Sequence, residues 1–316
     1  MEELLNVEAK PPGRTPTIKA YALGNELHLN NLFLKFEGAN ATGTQKDRIS
    51  EAHVINAMRG GYNGIAVGTC GNYGASIAYF AHRYGVKSYI GIPKSYSHDR
   101  TDFMEAEHAE IIYYDGKYEE TVDYVRDFSR DNGLYDASPG SANSAIDKMM
   151  YATIAFEIYE ALLRVPSYVI VPVGNGTTLA GIYHGFRRMY EEGVIDHLPR
   201  MVGVSTSGGN PIVDSWRHGY SRVIDLNPDE IRETAVNEPL VSYRSFDGQD
   251  ALNAIRETHG RAMYVSDEEM IYYSNLIYRV EGLNPLPASA SAVAAINHIR
   301  IKSDETVVSV ITGRQI

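Results

Sequence analysis

The chain has 316 residues, of which 44% are hydrophobic and 22% charged, with a formal net charge of -11. That is enough chain for one large or two medium domains with a full core, and its charged fraction is ordinary for a globular protein. The acidic balance argues against a nucleic-acid partner, which needs a basic face, and the single cysteine, Cys70, excludes an intrachain disulfide and a cysteine-based zinc site.

The start, MEELLNVEAKPPGR, has no basic segment followed by an apolar core, so no secretory signal is expected there. No apolar run approaches the length of a membrane span, and with one cysteine the chain suits a reducing cytoplasm. Pro11, Pro12 and Gly13 predict a mobile or loosely packed lead-in over residues 1 to 14. Leu32 to Phe36 has strand character, and Ile49 to Met58 carries helical spacing. Strands and helices then alternate. Strands are predicted at Gly64–Gly68, Val86–Ile92, Glu110–Tyr114, Tyr168–Val173, Met201–Ser205 and Thr306–Ile311. Helices are predicted at Tyr73–Tyr84, Asp99–Ala106, Tyr118–Asp131, Ser144–Leu163, Asp267–Val280 and Ala288–Ile299. Short runs between longer helical patterns argue for an α/β protein with parallel sheets and right-handed crossovers.

Four stretches carry chemistry. The first, Glu37 to Arg48 (EGANATGTQKDR), places Lys46 where a loop after a strand turns into a helix, the position at which open α/β sheets set their ligand crevice. A lysine there can be a desolvated amine fit to form a Schiff base with an aldehyde cofactor, or a plain solvated residue of a first helical turn. The second, Gly68 to Ser76 (GTCGNYGAS), joins a strand to a helix whose free N–H groups favour an anion, with small residues that let it approach. The third, Val173 to Gly181 (VGNGTTLAG), can cradle a phosphate with backbone amides and hydroxyls. A dinucleotide fingerprint would need glycine at Leu179 and an acid near Thr206 and Ser207, and no GK[ST] triphosphate loop is present, so a monophosphate fits better. The fourth, Val307 to Gly313 (VVSVITG), is by itself a buried strand ending at a turn. The ten histidines show no paired metal-ligand spacing, so no metal site is expected.

These stretches, in this order, resemble the pyridoxal-phosphate enzymes of the tryptophan-synthase-β fold, fold type II, from about residue 14 to the end. The Lys-Asp-Arg ending looks most like threonine synthase. The resemblance implies two open three-layer α/β/α domains. Residues 1-47 and 147-316 would form the larger, cofactor-binding one, and residues 48-146 a smaller, mobile one carrying the Asn72 loop. It implies pyridoxal 5'-phosphate as cofactor, linked to Lys46 as a Schiff base. Gly174, Asn175, Gly176, Thr177 and Thr178 would hold its phosphate, Asn72 its ring hydroxyl oxygen and Thr312 its pyridine nitrogen. Thr69, Cys70, Gly71 and Tyr73 would line the substrate-carboxylate loop. Gln45 stands where the family usually has an aromatic residue, Cys70 where it has serine, and Tyr73 where it has threonine.

The activity so implied is elimination and replacement on a β- or γ-activated amino acid, by a homodimer. The alternatives are β-elimination or β-replacement of the serine/threonine dehydratase or cysteine synthase type, and a non-catalytic ligand-binding homologue, against which Lys46 argues. Threonine synthases resemble one another in a further segment, close to Asn-Ser-Ile-Asn-x-x-Arg, whose arginine helps hold a substrate phosphate. Here Ser144 replaces the second asparagine and Asp147 the arginine, so a phosphate leaving group is expected to be held poorly.

Overall fold

The computed structural model describes residues 11–96 and 99–315. Among the described residues ten strands make two sheets: β1 (Thr17–Lys19), β2 (Asn31–Phe36), β3 (Ile65–Gly68), β4 (Ser88–Pro93), β5 (Glu110–Tyr114), β6 (Tyr135–Asp136), β7 (Tyr168–Pro172), β8 (Arg200–Thr206), β9 (Arg261–Val265) and β10 (Thr306–Ile311). The six-stranded sheet has the order β1-β2-β10-β7-β8-β9, and the four-stranded sheet the order β5-β4-β3-β6. Every pairing is parallel except β1 with β2. Consecutive parallel strands cannot be joined by a tight turn, and here the crossovers are helices.

The strands of the larger sheet read as continuous apolar runs because both faces are covered. Successive side chains go to opposite sides. Val169 and Val171 of β7 and Val308 and Val310 of β10 enter one core. Tyr168, Ile170, Val307 and Ile311 enter the other. The first core extends without a break to Ile65, Val67, Ile90 and Ile92 of the smaller sheet, so it joins the two sheets. Each fully buried branched side chain there stabilises the fold by roughly 1.5–3 kcal/mol.

All seven predicted strands and all seven predicted helices form, with ends shifted by a few residues. The helix expected over 288–299 stops at Ala294 and tightens into a 3-10 turn at Ala295–His298. Elements without a clear period in the sequence also form: β1, β6, β9 and the helices Tyr21–Glu26, Pro211–Arg217 and Gly248–Glu257. Residues 1–10 of the expected loose lead-in lie outside the described residues. From Gly13 onward the lead-in is tied down rather than loose. The Gly13 N–H donates to Asn40 Oδ1 at 2.9 Å, and the Arg14 and Thr15 N–H groups donate to the Glu157 carboxylate. Among the described residues no helix is long and apolar enough to cross a membrane.

Candidate active site

Parallel sheets leave their crevice beyond the carboxyl ends of the strands, at the point where strand order reverses. Here β10 lies between β2 and β7. The loops leaving β2, β10 and β7, with the one leaving β3 of the smaller sheet, meet around a cavity lined by Lys46, Thr312, Gly174–Thr178, Thr69, Cys70, Asn72 and Tyr73, while Gly71 shapes the turn without lining it. Two backbone links bind the first pair of loops together. The Gln45 N–H donates to the Thr312 carbonyl at 2.9 Å, and Thr44 bridges Gly313 as an antiparallel pair. All four stretches singled out in the sequence therefore converge, although up to 266 positions separate Lys46 from Thr312.

Lys46 is the residue before the helix Asp47–Arg59, with Ser50 N–H donating to its carbonyl at 3.0 Å. Burial lowers the pKa of its ammonium, against the smaller opposing influence of Cys70, Asp147 and Asp247. Its Nζ lies 5.1 Å from the ring centroid of Tyr73, within cation–π range. A desolvated amine of this kind is a nucleophile and a base nearer neutral pH than a surface lysine. Behind it, Arg48 is clamped by two carboxylates. Its Nε donates to Glu37 at 2.7 Å and its Nη1 to Glu157 at 2.7 Å.

The turn after β3 needs Gly71, whose φ of 128° is closed to residues with a Cβ. Thr69 Oγ1 accepts from the Gly71 and Gly74 N–H groups at 3.0 and 3.3 Å, which fixes the start of the helix Asn72–Tyr84. Asn72 lines the cavity at that helix start. The Tyr73 hydroxyl donates to the Ala137 carbonyl at 2.9 Å, so its ring faces Lys46 while its oxygen points into the protein. What Tyr73 can offer an anion is its backbone N–H. Burial pushes the Cys70 thiol up to about 11, so it is a neutral wall at physiological pH.

The turn after β7 is built for close approach. A Cβ on Gly174 would lie 2.7 Å from the Pro239 carbonyl oxygen, and one on Gly176 (φ 89°) would lie 2.8 Å from Ala251 Cβ. Asn175 Nδ2 donates to the Tyr118 hydroxyl at 2.9 Å, while its Oδ1 is buried without a partner. The helix Thr177–Glu191 begins here, so its first N–H groups face the cavity end of the turn. Thr177 Oγ1 donates to Asp247 at 2.5 Å, which leaves its N–H as its donor to an anion. Thr312 Oγ1 is 2.8 Å from Ser289 Oγ, and both line the cavity.

Reasoning from the sequence missed Ser289, Tyr118, Asp247 and Glu238. Each arrives from a segment with no motif of its own, and only the fold brings it in. Asp147 is the reverse case. It was singled out as facing a leaving group, but its carboxylate is 2.7 Å from His53 Nε2, whose Nδ1 is 3.0 Å from the Tyr135 hydroxyl. It is buried and outside the cavity lining. Lys148, its neighbour, is ion-paired with Asp250 instead.

A buried amine and two glycine turns at helix starts, whose free N–H groups can donate to a phosphate, are what a phosphorylated aldehyde requires, and the residues fit that group. The pyridoxal-phosphate dependent enzyme family matches residues 9–313. The chain belongs to this family, and its cofactor is pyridoxal phosphate. It is 32% identical over 311 residues to the threonine synthase of Methanocaldococcus jannaschii, covering 95% of this chain and 74% of that one. With the threonine synthase of Methanosarcina acetivorans the identity is 31% over 323 residues, covering 98% and 78%. The solved L-serine ammonia-lyase of the fungus Rhizomucor miehei superposes with a TM-score of 0.80 at 23% identity, covering 96% of this chain and 94% of that one. That likeness establishes the two-sheet fold alone.

Proposed function

We propose that the protein is an amino-acid lyase or synthase of threonine-synthase type, eliminating and replacing a β- or γ-substituent. The observation that carries this reading is the desolvated Lys46 amine inside a cavity that also holds the Thr312 hydroxyl. When bound, pyridoxal phosphate supplies an electron sink for a carbanion at the substrate α-carbon. In this reading the N–H groups of Gly174–Thr178 hold the cofactor phosphate, and Asn175 turns its unpartnered Oδ1 toward a bound donor such as water.

Asn72 holds the ring hydroxyl oxygen. The turn Thr69–Tyr73 orients the substrate carboxylate with backbone N–H groups. Lys46 takes the α-proton and returns protons to the α and β carbons. Thr312, paired with Ser289, presents a neutral hydroxyl to the ring nitrogen, which does not hold that nitrogen protonated as a carboxylate would. That setting suits elimination better than transamination.

In this reading the four-stranded sheet is the smaller body that moves over substrate, and the contacts of Tyr118 with Asn175 and of Glu119 with the N–H groups of Tyr243 and Arg244 hold it closed. The wall formed by Tyr118 and Tyr73 would then exclude water. The test is a panel of free, acetylated and phosphorylated hydroxy-amino acids, read by release of ammonia, acetate or phosphate. Turnover of at least one, lost in Lys46→Ala, supports the reading. A cofactor-loaded protein that releases nothing from any of them contradicts it and favours a binding role.

A further inference from the structure

A hydroxyl can meet a ring nitrogen as a donor or as an acceptor, and at Thr312 the choice falls to its neighbour Ser289. This inference rests on the placement of the cofactor ring at Thr312 proposed above.

The two hydroxyl oxygens lie 2.8 Å apart, on segments locked together by backbone bonds. The Leu286 N–H donates to the Gly313 carbonyl at 3.0 Å, and the Gln315 N–H to the Asn284 carbonyl at 2.9 Å. Pro285 bridges Arg314 as an antiparallel pair. Neither hydroxyl can therefore drift from the other without breaking this frame.

Ser289 is the third residue of the helix Pro287–Ala294. Helical serines commonly donate to a carbonyl of the preceding turn. Ser291 of the same helix does so, to the Ala288 carbonyl at 2.7 Å. Ser289 has no such outlet. The carbonyls within its reach along the chain are those of Pro285 and Leu286. The Pro285 oxygen already accepts from Ser274 Oγ at 2.8 Å and from Gln315 Nε2 at 3.1 Å. The Leu286 oxygen accepts from the N–H groups of Ser289 and Ala290, at 2.9 and 3.1 Å. A carbonyl oxygen has two lone pairs, so both are saturated.

Among the described residues the one side-chain partner of Ser289 Oγ is Thr312. Ser289 is 1% exposed, whereas Thr312 is partly open to the cavity. A buried hydroxyl keeps its proton bonded, so Ser289 donates to Thr312 Oγ1. That bond occupies a lone pair of Thr312 and leaves the Thr312 proton to point into the cavity. The surroundings favour the same direction. Leu286 and Ala288, which flank the pair in the lining, are apolar, and a helix start carries partial positive charge. A protonated ring nitrogen here would be a desolvated cation beside groups that offer it no counter-charge.

We propose that Ser289 is a positioning residue. It holds Thr312 as a hydrogen-bond donor, so that the site selects the cofactor with its ring nitrogen unprotonated.

Nitrogen NMR of the holoenzyme, loaded with pyridoxal phosphate isotopically labelled at the ring nitrogen, tests this. The parent should give a neutral-pyridine signal, displaced toward pyridinium only as far as one accepted hydrogen bond moves it. In Ser289→Ala the Thr312 hydroxyl is free to turn away, and the signal should move toward that of Thr312→Ala, where nothing is donated. In Ser289→Asp the new carboxylate, tolerated in a first helical turn, draws the Thr312 proton to itself. Thr312 then offers only lone pairs, and the signal should cross into the pyridinium range. A pyridinium signal in the parent overturns the proposal without any variant. So does a parental signal in both Ser289 variants while Thr312→Ala moves it, or a signal that Ser289→Ala moves and Thr312→Ala does not. A signal that all three variants leave unmoved contradicts the placement of the ring at Thr312 itself, and the inference falls with it.

Discussion

Removing the charge of Glu157 should unsettle the fold more than the chemistry, and the expected size follows from its contacts. Lys35 is fully buried, and its ammonium donates to Glu157 at 2.6 Å and to the Thr15 carbonyl at 2.5 Å. Arg48 gives Glu157 two further bonds, at 2.7 and 2.8 Å, and turns its other edge to Glu37. Two buried cations thus share two carboxylates. In Glu157→Gln one cation is left without a counter-charge, and breaking a buried pair from one side costs about 3–5 kcal/mol. The carboxyl itself points to a similar figure. Burial alone would raise its pKa, but bonds and charges from Arg48 and Lys35 outweigh burial and hold it at about 2 instead of 4.5. That difference corresponds to roughly 3 kcal/mol, reduced to about 2 because part of the side chain meets solvent. The variant should therefore lose ~2–4 kcal/mol in urea unfolding at pH 7. Because the folded-state value is depressed, the parent's stabilisation is complete above 4.5 and lost as pH falls through about 2. The variant should lack that part of the acid dependence. Lys35→Met added to Glu157→Gln should recover stability, since the stranded cation is gone. A loss under 1 kcal/mol with an unchanged acid profile would refute the reasoning.

Three further outcomes are expected. Cys70 should resist iodoacetamide at pH 7.5 and become reactive only as pH approaches about 11, read by intact mass; rapid alkylation at neutral pH would contradict the raised pKa of this half-buried thiol. Gly176→Ala should weaken pyridoxal phosphate binding at least tenfold and destabilise the protein by about 1–3 kcal/mol, because it forces a Cβ onto Ala251 at a positive φ. Wild-type affinity in that variant would count against the phosphate turn. Thr312→Asp should protonate the cofactor ring nitrogen, shifting the visible band and diverting flux toward transamination or racemisation; parental spectrum and product ratio would place the pyridine contact elsewhere.

What the sequence made legible was local. A strand ending at Phe36 runs into a glycine-marked loop and a helix start within the dozen residues Glu37–Arg48, and Gly71 and Gly176 betray turns because their φ favours glycine. What stayed hidden depends on separation along the chain. Ser289 reaches Thr312 from the preceding helix, Tyr118 reaches Asn175 across the two sheets, and Asp247 reaches Thr177 from a loop without regular structure. Asp147 could be placed near the site by alignment. Its aim could not, because that is decided by His53, 94 positions earlier. The three-residue β1 and two-residue β6 are too short for period to register, and neighbouring strands create them.

The central claim is that Lys46 is the amine that carries the cofactor. Borohydride reduction of the holoprotein followed by proteolysis and mass spectrometry tests it most directly. The visible band should disappear and the pyridoxyl label should map to the peptide containing Lys46, with Lys46→Ala folded, unlabelled and inactive. A label on Lys35 or Lys148, or a Lys46→Ala protein that still labels and turns over substrate, would contradict the account.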